Sequence, residues 1–138
     1  TAVQCVINPL NSAGDIGCVS GEFDCRGILR ACRTHDVPAL AIRAVQAGAL
    51  TSAMDRDLPA NDADRLDFDR AAGFRKLAAE WGQSPARLAH RYALSIDDIG
   101  SVILGVKNRE ELRECLSAES DPRLSADEIE AIDQSCTL

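Results

Sequence analysis

Short apolar runs alternate along this chain with longer stretches whose apolar residues recur at helical spacing. Residues 2–7 (AVQCVI) read as a short buried strand. Residues 8–21 are rich in Asn, Gly, Ser and Pro and read as a loop. From Phe23 to Thr34, Ile28, Leu29, Ala31 and Cys32 keep helical spacing. Pro38 closes that turn, and residues 39–43 (ALAIR) form a second short strand. Its poor alternation suits a strand covered on both faces. Residues 48–64 are a long polar loop with Pro59 and repeated Asp, and loops of that length are commonly functional. One helix is expected over residues 65–81, with Phe74, Leu77, Ala78 and Trp81 on its apolar face and Gly82 as its stop. Ser84-Pro85 supplies an N-cap and a proline at the first helical position, and the helix it opens runs to about Ser95. Leu88, Ala89, Tyr92 and Ala93 make its apolar face. Residues 101–104 (SVIL) read as a third strand. Asn108-x-x-Glu111 opens a helix expected to turn Leu112 and Leu116 inward. Ser125-x-x-Glu128 is a capping box for a last helix with Ile129, Ile132 and Cys136 on one side.

Short apolar strands alternating with helices indicate parallel β/α units joined by right-handed crossovers. The pattern therefore predicts an α/β chain of about three parallel strands and five helices, with two open sheet edges. The 138 residues suit one domain, 1–138. Apolar residues make up 46%, enough for a core. The net charge of −7 argues against nucleic acid or an anionic membrane surface as partner. No run of eighteen apolar residues is present to span a membrane.

Six cysteines stand at 5, 18, 25, 32, 115 and 136. No pair has the spacing of a zinc or thioredoxin-type site, and the strong helical periodicity removes the need for staples. Free thiols in a reducing cytoplasm are the expected state, against a small redox or metal protein as the contrary reading. The two histidines, His35 and His90, are expected at the surface or in packing.

Five segments together carry a family likeness. Residues 3–8 (VQCVIN), 41–50 (AIRAVQAGAL), 84–95 (SPARLAHRYALS), 101–116 (SVILGVKNREELRECL) and 124–133 (LSADEIEAID) resemble, in order and spacing, segments of the aldo/keto reductases. The likeness covers essentially the whole chain. It implies an eight-stranded β/α (TIM) barrel, a fold of about 250 residues, so the chain is expected to be a partial (β/α)8 barrel. The match is to strands six to eight, the C-terminal half. The chain begins at Thr1 rather than Met, and the first half is expected to lie upstream. The resemblance implies that this first half holds the family's catalytic Asp, Tyr, Lys and His. Tyr92, His35 and His90 match none of those positions.

The likeness also implies hydride transfer between NADP or NAD and small carbonyl compounds or alcohols. Gln4 matches the family's Gln that bonds the nicotinamide carboxamide; a Gln capping a strand end is the equal alternative. Gly48 and Leu50 lie where the family's backbone cradles the pyrophosphate. Arg43 stands beside the place of a family aromatic, and reads either as a stacking or phosphate-pairing guanidinium or as a surface ion pair. Gly105, Lys107, Asn108 and Arg109 lead into a helix N-terminus that in the family holds the adenosine 2′-phosphate. Two positions depart from the pattern. Glu111 replaces Gln or Arg near that phosphate, and Cys115 replaces an Asn facing adenine. Glu111 is explained equally as the third residue of a capping box, so NADP, NAD and no bound cofactor all stand open. The chain alone is expected to be inactive, with a non-catalytic half-barrel, self-associating through its open sheet edges, as the second reading.

Overall fold

The computed structural model describes residues 1–11 and 25–136. The loop over 8–21 lies mostly outside these residues, as do Cys18 and Phe23. Three strands, β1 (Val3–Val6), β2 (Ala39–Ile42) and β3 (Ile99–Val102), form one parallel sheet in the order β1-β2-β3. Among the described residues six α-helices accompany them: α1 (Cys25–Thr34), α2 (Ala63–Arg70), α3 (Ala72–Glu80), α4 (Pro85–Ser95), α5 (Arg109–Ser120) and α6 (Ala126–Ser135). A short 3-10 turn spans Gln46–Gly48.

The register puts Cys5 beside Ala41 and Ala41 beside Val102 on one face. Cys5, Ala39 and Ala41 are buried there. Small residues in the central strand let the covering helices approach closely. Helix α1 packs on β1 and α4 on β3, while α4 also lies against α5 and α3. The core runs through Phe74, Leu88, Tyr92 and Ile132, each fully buried. The apolar face expected for α4 is the buried one, with His90 added to it.

Four expectations need correction. The helix expected over 65–81 is two helices that break at Ala71, making six α-helices rather than five among the described residues. Arg75 provides the reason. Its guanidinium donates to the Phe68 carbonyl at 2.7 Å and lies 3.7 Å over the Phe68 ring. The side chain thus takes the Phe68 carbonyl, the acceptor that a continuous helix would give to the N–H of residue 72, and it also reaches the Ala49 carbonyl at 3.1 Å. The break also seats Gly73 against the Ser135 carbonyl of α6, where a Cβ would fall well inside contact distance.

The third strand begins two residues earlier than expected, because Ile99 pairs with Ala39 across a register shift. Ile103 and Leu104 leave the sheet and are half-exposed. The second strand ends at Ile42, before Arg43, whose φ of 57° is left-handed. Finally, α5 is rotated relative to the expectation. It packs on α4 through Cys115 and Ala118, leaving Leu112 39% and Leu116 55% exposed.

Candidate functional site

Parallel strands place their carboxyl ends together, and the chain leaves each strand there in a loop. After β1 comes Asn8, fully buried. Its Nδ2 donates to the Arg43 carbonyl at 3.0 Å and to Gln46 Oε1 at 3.2 Å. Its Oδ1 accepts from the backbone N–H groups of Leu10 and Asn11, at 3.0 and 3.1 Å. Gln46 Oε1 also accepts from Arg43 Nε at 3.0 Å, and Gln46 Nε2 donates to Asp67 at 2.8 Å. This network ties the end of β1 to the loop after β2.

That loop is strained. Arg43, Gln46 and Ala47 have φ of 57°, 45° and 52°, followed by Gly48 at 97°. Each non-glycine residue in the left-handed region costs about 1–2 kcal/mol. Such tracts persist where the surroundings over-determine them, and they cluster at functional sites.

Beside the loop lies a cavity of about 430 Å³, within the range of small-molecule sites. Gly48, Thr51, Asp55 and Arg56 line it from the loop after β2. Gly105 and Lys107 come from the loop after β3. Ser84, the N-cap of α4, and Ala86 within it face Glu111 and Glu114 of α5. A Cβ added at Gly105 would meet nothing within 4 Å, so the wall there is left open.

Charge around the cavity is mixed and mutually engaged. The Lys107 ammonium pairs with Asp55. Arg56 reaches Asp55 at 2.8 Å and Asp64 at 2.7 Å, and Arg43 approaches Asp64 at 3.7 Å. Asn108 caps α5, its Oδ1 accepting from the N–H groups of Glu110 and Glu111 at 2.9 Å each. Glu111 closes the motif from the other side, accepting from the Lys107 N–H at 2.7 Å and from Asn108 Nδ2 at 3.2 Å. The Ser84 hydroxyl, which caps α4, donates to the Glu114 carboxylate.

Behind Glu111 and Glu114, α4 and α5 meet through a buried imidazole–thiol pair. His90 Nδ1 lies 2.8 Å from the Ala86 carbonyl, an acceptor, so it carries the proton. Its Nε2 is 3.3 Å from Cys115 Sγ and accepts from the thiol. Burial holds the His90 pKa below its ordinary value, against the Ala86 bond and the nearby Glu114. Burial also raises the Cys115 thiol, helped by Glu114. Both groups are therefore neutral near pH 7.

Gly48, Gly105, Lys107 and Glu111, from two loops and α5, line this one cavity. The other candidates take other places. Gln4 is exposed on the sheet face opposite Cys5, in register with Leu40 and Ser101. Arg43 sits in the network at the end of β2, Leu50 is fully buried, and Asn108 is the cap. Arg109 is exposed at the start of α5. Cys115 is buried against His90 rather than lining the cavity. Sequence reasoning missed Asn8, Gln46, Asp55, Arg56 and Glu114. Only the run of Asp and Arg in the loop signalled part of this group.

Among the described residues, no group of three His, Cys, Asp or Glu side chains could hold a metal ion. No described helix is long and apolar enough to cross a membrane. The five described cysteines are all buried.

A model of the aldo/keto reductase family matches residues 1–136. The chain belongs to the aldo/keto reductase family. No curated protein matches it. The open parallel sheet with its six helices is consistent with part of an aldo/keto reductase barrel, and membership supports an oxidoreductase-type parent.

Proposed function

We propose that this chain supplies cofactor-binding segments of an NAD(P)-dependent aldo/keto reductase that transfers hydride between small carbonyl compounds and alcohols. One observation carries the reading. The cavity at the carboxyl ends of the strands gathers Gly48 and Arg56 from one loop, Gly105 and Lys107 from another, and Glu111 from a helix. Its volume and its two cations fit the pyrophosphate part of a dinucleotide. Bound there, the dinucleotide supplies the ring that gives or takes the hydride.

The chain's own residues then bind and orient. Gly48 lets the backbone run in a left-handed turn at the wall. Lys107 and Arg56 provide positive charge, and Asn8 with Gln46 keeps the loop in its strained form. Gln4, on the open sheet face, offers an amide donor and acceptor. The chain's one tyrosine, Tyr92, is buried, its hydroxyl between Asp133 at 2.5 Å and Arg26 at 3.0 Å. Burial and Asp133 push its pKa far up, which disfavours it as a proton donor to a carbonyl. The proposed role is therefore cofactor holding without turnover, as the C-terminal part of a barrel.

Calorimetric titration of the chain with NADH and NADPH tests this. Saturable binding of either supports it, and no binding up to millimolar concentration overturns it. Carbonyl-dependent NAD(P)H oxidation above blank would overturn the inactivity.

A non-catalytic interaction module is the second reading. It is favoured by the exposed Gln4 and Ser101 on one sheet face, and by the half-exposed Ile103 just beyond β3. Sedimentation discriminates, since a monomer at all concentrations counts against self-pairing.

A further inference from the structure

We propose that the chain carries a second ligand site, at the amino ends of β2 and β3, for a small monocarboxylate with a short apolar body. The site lies at the opposite end of the sheet from the cavity described above and does not rest on the nicotinamide reading. A cleft of about 380 Å³ opens there, bordered by Asp97 and Asp98 just before β3. Its size is within the range of small-molecule sites. A hollow of about 200 Å³, reaching Asp36 and Pro38 just before β2, shares Arg33 and Asp98 with it.

Three guanidinium groups come from one side of α1. Arg26, Arg30 and Arg33 stand at the i, i+4, i+7 spacing that shares a helix face, and all three line the cleft. Arg26 is held by its bond to the Tyr92 hydroxyl at 3.0 Å. Arg33 is 65% exposed and reaches Asp98 at 3.4 Å. Alongside the arginines the lining is apolar: Leu29, Ile96 and Leu124 are buried and Ile129 is half-buried. The Ser95 hydroxyl donates to the Arg91 carbonyl at 2.6 Å and accepts from the Leu124 N–H at 2.8 Å, which ties the α4 wall to the start of α6. Three cations face two carboxylates, Asp97 and Asp98, so the lining has one positive charge in excess, in a chain of net charge −7. That excess matches a monoanion. A phosphomonoester, with close to two negative charges, would meet the two carboxylates. A guanidinium presents paired N–H donors that fit a carboxylate. An exposed pairing such as Arg33 with Asp98 is weak enough for an incoming carboxylate to displace. The apolar lining takes the ligand's hydrocarbon out of water.

NMR titration of the isotope-labelled chain tests this, with hexanoate, its neutral amide hexanamide, acetate and hexyl phosphate as probes. Hexanoate should shift the backbone amides of Ile96, Asp98 and Ile129 saturably, with half-saturation at about 1 mM or below. Hexanamide lacks the charge and acetate the body, and each should bind about fivefold or more weakly. Arg33→Gln, at an exposed side chain, should weaken hexanoate about fivefold or more. Asp98→Asn should tighten it about two- to fivefold by releasing Arg33, and asparagine tolerates the left-handed φ of 69° at that position. Lys76→Gln removes the same charge at an 80% exposed side chain of α3 outside the cleft, and should leave binding unchanged. The proposal is overturned by the absence of saturable hexanoate shifts, or by shifts confined to the carboxyl ends of the strands. Hexanamide or acetate binding as tightly as hexanoate overturns it too, as does hexyl phosphate binding more tightly. Equal weakening by Arg33→Gln and Lys76→Gln would reduce the effect to net charge, with the same consequence.

Discussion

The helix-backed face of the sheet and the carboxyl ends of its strands obey opposite rules. Behind the sheet, apolar side chains are buried, and Tyr92 and His90 among them are paired with neighbours. Tyr92 lies between Asp133 and Arg26, and His90 between the Ala86 carbonyl and Cys115. At the strand ends the backbone turns left-handed at Arg43, Gln46, Ala47 and Gly48, and charges crowd around a cavity. The first region lowers the free energy of the fold. The second spends part of that stability on a shape and a charge pattern, and this division marks where ligand chemistry belongs.

The largest break in this comparison comes from the packed side. Phe74→Ala, at a fully buried position, should cost about 3–5 kcal/mol, read as a lowered urea midpoint with little change in slope. Gly73→Ala follows, at about 1–3 kcal/mol. Helix propensity alone would favour alanine there by roughly 1 kcal/mol, so destabilisation in the same melt isolates the contact with the Ser135 carbonyl. A stabilised variant would show that α3 and α6 are not in such close contact.

A smaller effect tests the buried imidazole. The folded His90 pKa is depressed below the unfolded 6.5, so the unfolded chain binds the extra proton first. The associated stability is full above about pH 6.5 and is lost as pH falls through the lower folded value. His90→Leu should flatten the stability profile between about pH 7 and 5. A wild-type profile already flat over that range would contradict the buried, neutral ring.

The smallest effect belongs to the strand ends. Asp55→Asn breaks an exposed pairing with Lys107 and should change stability by less than about 1 kcal/mol. The same change frees Lys107 and should tighten binding of phosphate-bearing ligands, checked by calorimetry. A large loss of stability would mean that the loop is part of the core.

The parallel β/α order, the apolar face of α4, the Asn108 cap of α5 and the capping box of α6 were legible because each depends on residues close in sequence. Ser84-Pro85, Asn108-x-x-Glu111 and Ser125-x-x-Glu128 act on their own backbone, so spacing alone announces them. The break at Ala71 was not legible, because it depends on Arg75 reaching back to Phe68 and across to Ala49. Nor was the rotation of α5. Leu112 and Leu116 fit an apolar stripe as well as Cys115 and Ala118 do, and only the packing against α4 chooses between them.

Gly48, Gly105, Lys107 and Glu111 could be named as candidates from the sequence, through local motif and likeness. That they line one cavity with Asp55, Arg56 and Glu114 is a tertiary fact. Element types and helix caps follow from local sequence, because those are settled by interactions over a few residues. The tertiary structure decided the phase of α5, the burial of Cys115 on His90 and the charge balance of the cavity. Each of these is set by groups far apart in the chain whose approach no local pattern encodes.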